Sequence, residues 1–321
     1  MGEKVYPSEK AFKRAPTSAA PSSTNPTTMT MFAAFEFDTR SSRLMRGIVP
    51  KPDDPVGRDA RHCPMPPEPV DPALFYTGIV ADIYGPLRGD GPPDPTPYAA
   101  FVRRCGEPAL ELGCGDGDPL LDLRELGLDV EGLDSSTDML DRCRTRAAAR
   151  GVDVVLHCQP MQSMTLPRRY RSIYIAGPTF NLLPDDDTAA EALAAIASHL
   201  DDDGTALVPL FIPQPTDPAL FGRPRRHTTD AGVQMAFSAL DETYDVEHRM
   251  RVTNVRYELT TDGVTTVDDR PWLLHWYTQD AFRDMAETAG LHVAAVRRTT
   301  GGPAEPDDTE FAFILTPSRR T

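Results

Sequence analysis

The stretch that decides the fold is Glu111-Leu112-Gly113-Cys114-Gly115-Asp116-Gly117, which follows a short apolar run and precedes a helical pattern. Three alternating glycines let the backbone turn tightly and approach a ligand where any Cβ would collide. The helix that follows presents free N–H groups toward whatever lies in the turn. We therefore predict that segment 111–117 is a ligand-binding loop between a strand and a helix.

Dinucleotide-binding proteins have a similar glycine-rich loop, in which the glycines follow the pattern GxGxxG. The last glycine of that pattern lets the helix pack closely beside a pyrophosphate. The residue five positions after Gly113 is Asp118, and its carboxylate would repel a pyrophosphate. A dinucleotide is therefore disfavoured. A plain glycine turn is the other alternative, and the combined strand, loop and helix context argues against it.

A second candidate ligand-binding residue is Asp134, which lies seventeen residues after Gly117 at the end of the next predicted strand. A carboxylate in that place accepts both hydroxyls of a ribose in nucleotide sites of this topology. Asp134 also fits a helix cap, because Asp and Ser both precede a predicted helix. Beside the glycine loop, we favour the ligand role.

From about residue 99 the sequence alternates between strand and helix patterns, which predicts an α/β fold with a parallel sheet covered by helices on both faces. The predicted strands are 108–114, 130–133, 152–158, 172–176 and 205–212, and the predicted helices begin at 118, 136 and 188. After residue 213, β-rich stretches within 232–275 and a turn signal at Thr261-Asp262-Gly263 predict an antiparallel insertion. A helix over 279–289 and strands over 291–296 and 311–316 complete the main sheet.

Proline divides the chain unevenly, since 17 of the 32 prolines lie within residues 1–100. We predict a flexible Pro-rich N-terminal extension over 1–70, whose later part forms a lid. The ligand-binding domain then comprises 71–213 and 272–321, and the antiparallel substrate-side insertion comprises 214–271.

Charge and composition restrict the class of protein. The chain of 321 residues has 33 Lys and Arg against 48 Asp and Glu, a net charge of −15 that repels nucleic-acid phosphates and anionic lipids. It has no apolar run of the length, about 18–20 residues, that a membrane-spanning helix needs. Five cysteines without a CxxC pair suit a reducing compartment and offer no zinc site. We expect a cytoplasmic protein whose partner is a small molecule, and its oligomeric state is left open.

The glycine loop and the segment Gly-Leu-Asp-Ser-Ser-x-x-Met-Leu at 132–140 together resemble class I S-adenosylmethionine-dependent methyltransferases. The resemblance extends over roughly 75–213 and resumes at 272–316. The run RPWLLHWYT at 270–278 is similar to the segment that follows the substrate-binding insertion in bacterial small-molecule N- and O-methyltransferases, including amino-sugar enzymes. The resemblance implies a Rossmann-like fold with S-adenosyl-L-methionine as the cofactor.

The resemblance also implies which residues hold each part of the cofactor. Glu111 is expected near the amino-acid end of the cofactor, where the Ala176 carbonyl accepts the ammonium, and Gly113, Gly115 and Gly117 are expected near its middle. Asp134 and Ser135 are expected at the ribose, and Met139, Met161 and Gln162 at the adenine. Tyr76 and Tyr84 are expected to form a lid. Many relatives have an acidic residue where Pro160 stands, so Gln159 or Gln162 is expected to replace it at the adenine amino group.

Three residues are candidates on the acceptor side: His275 as a general base, Tyr84 in the lid, and Asn181 in the segment 177–181 after the fourth strand. Each also has a structural alternative, because a lone histidine in a strand, an aromatic residue near the core and a turn asparagine commonly serve packing. Asp185, Asp186 and Asp187 fit a helix N-terminus, and no metal site is expected.

The function implied by the resemblance is transfer of a methyl group from S-adenosylmethionine to nitrogen or oxygen of a small molecule. The sequence of the cofactor-binding loop does not indicate which carbon of the cofactor the acceptor attacks. Aminobutyryl transfer or intramolecular cyclisation therefore stays open as an alternative chemistry. A non-catalytic S-adenosylmethionine-binding module on the same fold is a further alternative.

Overall fold

The computed structural model describes residues 75–88, 92–299 and 301–318. The extension predicted over 1–70 lies outside these residues. Within them, two sheets are formed, one of seven strands and one of four. The seven-stranded sheet holds the glycine loop, and the four-stranded sheet interrupts it between its fifth and sixth strands along the chain.

The seven-stranded sheet has five parallel strands followed by an antiparallel pair at one side. In chain order its strands are β1 (Ala109–Leu112), β2 (Val130–Asp134), β3 (Leu156–Cys158), β4 (Tyr170–Ile175), β5 (Leu200–Phe211), β10 (Leu291–Arg298) and β11 (Glu310–Pro317). Their order across the sheet is β10-β11-β5-β4-β1-β2-β3. The strand order reverses between β1 and β4, and ligands of open α/β sheets bind at such a switch point.

Helices cover both faces of this sheet and pack against it through two clusters of apolar side chains. The helices are α1 (Ile79–Leu87), α2 (Thr96–Cys105), α3 (Leu120–Glu125), α4 (Thr137–Arg150), α5 (Asp186–His199) and α6 (Gln279–Thr288). Strand β1 is buried along its whole length, as a central strand of a parallel sheet should be. Helix α4 begins at Ser136, whose hydroxyl accepts from the Met139 N–H, and ends at Gly151 in the left-handed conformation.

The four-stranded sheet is antiparallel and confirms the predicted β insertion. Its strands are β6 (Arg225–Thr228), β7 (Gln234–Asp245), β8 (Met250–Thr261) and β9 (Val264–His275). The turn between β8 and β9 contains Asp262 and Gly263, both with positive φ. Helix α1 packs on one face of this sheet through an apolar cluster of Phe75, Val80, Ile83, Leu87, Met235, Phe237, Val255 and Tyr257.

Several boundaries differ from the sequence prediction. Strand β3 is three residues long because the carbonyl of Asp153, within the predicted strand, accepts the Arg124 guanidinium instead of a neighbouring strand. Strand β5 begins at Leu200, directly after α5, because this buried leucine pairs with Tyr170 of β4. Strand β6 was not predicted, since Arg225–Thr228 is polar and has no apolar alternation.

No helix among the described residues is both long and apolar enough to cross a membrane.

Candidate functional site

A cleft opens at the carboxyl ends of β1, β2 and β4, where the strand order reverses, and its empty volume of about 710 Å³ includes space open to solvent. The cleft is lined by Tyr76, Tyr84, Gly113, Gly115, Leu133, Asp134, Ser135, Met139, Pro160, Met161, Gln162, Thr179, Leu182 and Leu183. The structure therefore brings together residues from the loop, from the ends of three strands and from the segment preceding α1.

Asp134 is the charged residue among those that line the cleft. Its Oδ2 atom accepts the Gly115 N–H at 2.8 Å, and its Oδ1 atom accepts the Ser136 N–H at 2.8 Å. Burial raises the pKa of Asp134, and the backbone N–H groups of Ser136, Gly115 and Ser135 oppose that rise. The carboxylate has four lone pairs in all, so Asp134 can still accept a hydroxyl donor from a ligand.

The bend of the glycine loop depends on Gly113, which has φ +68°. A Cβ on Gly113 would lie 2.6 Å from Cγ2 of Thr179, a residue that follows β4 and also lines the cleft. The absence of a side chain at Gly113 therefore leaves room for Thr179 to line the cleft. Gly117 has a different requirement, because a Cβ there would lie 2.8 Å from the Cys143 sulfur of α4. Gly117 serves helix packing and is not part of the cleft lining.

An aromatic wall closes one side of the cleft. The rings of Tyr76 and Tyr84 meet edge to face, with centroids 5.4 Å apart and planes at 85°. The Ser136 hydroxyl donates to the Tyr76 carbonyl at 2.6 Å, so the cap of α4 also holds the segment before α1. Burial raises the pKa of Tyr76 and of Tyr84, and both hydroxyls are therefore protonated at neutral pH. Their π faces offer a favourable surface for a cation.

Most of the other residues of the cleft are apolar, and one carries an amide. Met139 and Met161 are buried there, and Gln162 lines the cleft beside Pro160. The side chain of Gln159 is occupied elsewhere, since it accepts the Thr165 N–H at 2.7 Å and donates to the Thr165 carbonyl at 3.3 Å. Of the two glutamines expected to replace an acidic adenine ligand, Gln162 is thus the one at the cleft.

Glu111 is placed beneath the loop rather than at the cleft. It is fully buried, and the Tyr174 hydroxyl donates to its Oε2 atom at 2.7 Å. Its Oε1 atom has no hydrogen-bond partner among the described residues. Burial raises the pKa of Glu111 to about 8, although the bond from Tyr174 lowers it. The cofactor role expected for this residue remains a prediction.

The structure does not bring Asn181 and His275 to the cleft. The Asn181 amide donates to the carbonyls of Phe211 and His275 at 3.1 and 2.8 Å, and its oxygen accepts the Phe211 N–H at 3.2 Å. His275 is also buried, with Nδ1 3.0 Å from the Tyr277 hydroxyl. Burial lowers the pKa of His275. Both side chains bond to other groups of the protein, and the acceptor-side roles expected for them remain predictions.

Ala176 is half-buried against the apolar cluster that contains α4 and does not line the cleft. The cleft instead includes Thr179, Leu182 and Leu183, none of which was singled out from the sequence. The sequence analysis selected Asn181 in the same segment, but residues 179–182 form a short 3-10 helix that turns Phe180 and Asn181 into the core. The position of this segment after β4 was the signal that the sequence offered. The 3-10 helix determines which of its side chains line the cleft and which are buried in the core.

These residues fit an adenosyl cofactor. Asp134 offers two accepting oxygens for ribose hydroxyls, the methionines provide apolar surfaces for a flat base, and Gln162 supplies an amide at the edge. The bend at Gly113 lets the backbone lie close to the ligand. No metal-binding cluster of His, Cys, Asp or Glu is present among the described residues.

Residues 109–204 match the protein family described as "Methyltransferase domain". A curated relative from Streptomyces fradiae, dTDP-3-amino-3,6-dideoxy-alpha-D-glucopyranose N,N-dimethyltransferase, is 31% identical over 151 residues, which cover 44% of this chain and 58% of the relative. The chain thus spans little more than half the length of that relative.

Two solved structures share the fold. The CcbJ methyltransferase from Streptomyces caelestis superposes with a TM-score of 0.63 at 22% identity, covering 78% of this chain and 100% of that chain. The sugar N-methyltransferase KedS8 from a Streptoalloteichus species gives a TM-score of 0.57 at 18% identity, covering 85% and 100%. Residues 109–204 therefore match a methyltransferase domain, and the chain shares the fold of these two solved methyltransferases.

Proposed function

We propose that this chain transfers the methyl group of S-adenosylmethionine to an amine nitrogen of a small molecule, with an amino sugar as the acceptor class. The observation that carries this proposal is the cleft in which Asp134, the bend at Gly113 and the Tyr76–Tyr84 wall face one another. The acceptor class is supported by the names of the Streptomyces fradiae relative and of the Streptoalloteichus structure, both of which are sugar N-methyltransferases.

Nitrogen is favoured over oxygen by the groups that line the cleft. Its titratable residues among the described part of the chain are Tyr76, Tyr84 and Asp134. Both tyrosines are protonated at neutral pH, and Asp134 is engaged by backbone N–H groups on each oxygen. A hydroxyl acceptor needs a strong base to remove its proton. A free amine already has a lone pair and needs mainly orientation and the exclusion of water.

When bound, S-adenosylmethionine supplies a methyl group that the positive sulfur has already activated. The contribution of the chain is to bind, orient and desolvate. Asp134 fixes the ribose, the apolar side chains of Met139 and Met161 exclude water, and the aromatic wall offers π faces to positive charge. Because none of these groups is a strong base, the acceptor amine has to enter in its neutral form, and we expect the rate to rise with pH until the amine is deprotonated.

Product analysis tests this proposal. The full chain is incubated with S-adenosylmethionine and a nucleotide-linked 3-amino sugar, a free amino sugar and the matching 3-hydroxy sugar, and the products are measured by mass spectrometry. We expect S-adenosylhomocysteine and a mass gain of one methyl group on an amine, with none on the hydroxy sugar. Methylthioadenosine as the product would instead indicate that another arm of the cofactor moves. Binding without turnover of any acceptor would support a non-catalytic module.

A matched pair of variants separates site chemistry from stability in that assay. Asp134→Ala removes the ribose ligand, whereas Asp141→Ala removes an exposed carboxylate that pairs with Arg144 on the surface of α4. We expect turnover to be lost in the first variant and kept in the second. Equal turnover in both would contradict the placement of the cofactor.

A further inference from the structure

One arginine connects the aromatic wall to the glycine loop. Arg88 follows α1, and its guanidinium carbon lies 4.6 Å from the centre of the Tyr84 ring. The same guanidinium lies 3.3 Å from an Asp118 carboxylate oxygen and 3.7 Å from one of Asp116. The side chain of Arg88 is only 9% exposed, so these contacts are largely removed from water. A buried guanidinium held on two sides is a rigid support for the ring.

The carboxylates that hold Arg88 belong to the loop that shapes the cleft. Asp116 lies within the loop and Asp118 directly after it. Both are also paired with Arg146 of α4, at 2.9 Å and 2.5 Å respectively. Two arginines and two aspartates therefore balance in charge, and the removal of Arg88 leaves both carboxylates beside Arg146 with one negative charge in excess. The effect on Tyr84 is therefore compared with that of Arg88→Lys, a variant that keeps the positive charge.

We propose that Arg88 is a positioning residue that holds the Tyr84 ring against the cleft only while the glycine loop has its ligand-binding conformation. The inference rests on the proposed function, since it assumes that the cleft binds an adenosyl ligand. A ligand that stabilises the loop also stabilises the positions of Asp116 and Asp118. Because both carboxylates hold Arg88, and Arg88 supports the Tyr84 ring, ligand binding at the loop also fixes the aromatic wall. Arg88 itself does not line the cleft.

An ion pair between α1 and α4 provides the control. Arg142 of α4 lies 2.5 Å from Asp82 of α1, and this pair is exposed. Loss of this pair loosens α1 from α4 but leaves Arg88 over the Tyr84 ring, whereas loss of Arg88 removes that support. A merely structural role for Arg88 would make Arg88→Met and Arg142→Met alike in ligand binding.

The test is a double-mutant cycle on the full chain, with S-adenosylhomocysteine binding measured by titration calorimetry and folding checked by thermal unfolding. We expect Arg88→Met to weaken binding about tenfold, as the loss of a desolvated cation–π support implies, and Arg142→Met to leave it unchanged. Tyr84→Leu should weaken binding as well. In the Tyr84→Leu background, Arg88→Met should have no further effect, because the group it positions is gone.

Arg88→Lys distinguishes loss of the ring support from a folding defect, because lysine keeps the positive charge and one carboxylate partner. We expect it to recover most of the affinity that Arg88→Met loses, with a thermal midpoint near that of the unaltered chain. Additive effects of Arg88→Met and Tyr84→Leu, or equal losses in the Arg88 and Arg142 variants, would overturn the inference while the proposed function stands. Absence of binding by the unaltered chain would overturn the proposed function, and the inference with it.

Discussion

Replacement of Gly113 by alanine should be far more damaging than an ordinary glycine substitution. Gly113 has φ +68°, and a left-handed conformation costs a non-glycine residue about 1–2 kcal/mol. The new Cβ would also lie 2.6 Å from Thr179 Cγ2, closer than carbon atoms tolerate. Overpacking of this kind costs typically about 1–3 kcal/mol. We therefore expect Gly113→Ala to lose about 2–5 kcal/mol of unfolding free energy and to bind S-adenosylhomocysteine poorly.

Gly151 provides a matched control. It ends α4 at φ +66°, nearly the same conformation, and a Cβ there would meet nothing within 4 Å. Gly151→Ala should therefore lose only the conformational part, about 1–2 kcal/mol, and should bind the ligand normally. The difference between the two variants isolates the collision with Thr179.

A second-site change completes the experiment. Thr179→Ser removes Cγ2, the atom nearest to the new methyl group, and leaves the hydroxyl in place. We expect Gly113→Ala/Thr179→Ser to regain most of the stability that separates Gly113→Ala from Gly151→Ala, as measured by urea unfolding. Equal losses for the two alanine variants, or no recovery in the double variant, would refute the account of the loop given above.

Three further predictions concern the cleft and the group beneath it. Asp134→Asn should weaken S-adenosylhomocysteine binding about 10- to 100-fold in titration calorimetry, because hydrogen bonds to a charged acceptor are lost. Gln162→Ala should weaken the same binding, whereas Gln159→Ala should not, since the Gln159 side chain is bonded to Thr165. Burial raises the pKa of Glu111 from 4.5 to about 8, so the folded chain retains a proton that the unfolded chain releases. The contribution of Glu111 to stability should be full below pH 4.5 and should fall toward pH 8, by up to about 1.4 kcal/mol per pH unit, and urea midpoints of Glu111→Gln across that range should lack this contribution.

The main sheet could be predicted because its local signals agree with one another. The run before Gly113 is apolar and bounded by glycine, and Ser136 and Gly151 have the residue types that begin and end helices. Strand β6 could not be predicted, because Arg225–Thr228 owes its conformation to pairing with β7 and not to its own composition. The start of β5 was also missed, since the acidic run after Leu200 has the composition of a turn and is held in the sheet only by its neighbours.

That the glycine loop and Asp134 lie in one cleft was predictable for the same reason. Asp134 and the glycines belong to one short motif, and the carboxyl ends of adjacent parallel strands necessarily lie together. The acceptor side was not. The amide of Asn181 bonds to residues 30 and 94 positions away, and such long-range partners leave no pattern in the sequence. Arg88 contacts Asp118 from 30 residues away and was overlooked likewise.

The bonds of Asn181 have a consequence for how this protein can diversify. Phe211 is where the backbone leaves the main sheet for the four-stranded sheet, and His275 is where it returns. One amide therefore ties the point of departure to the point of return, so the intervening chain leaves and re-enters the main sheet at one place. Because loop-closure entropy grows only slowly with length, insertions in the turns of the four-stranded sheet add little to that entropic cost. We expect the length of this segment to vary among related chains while the cleft keeps its shape.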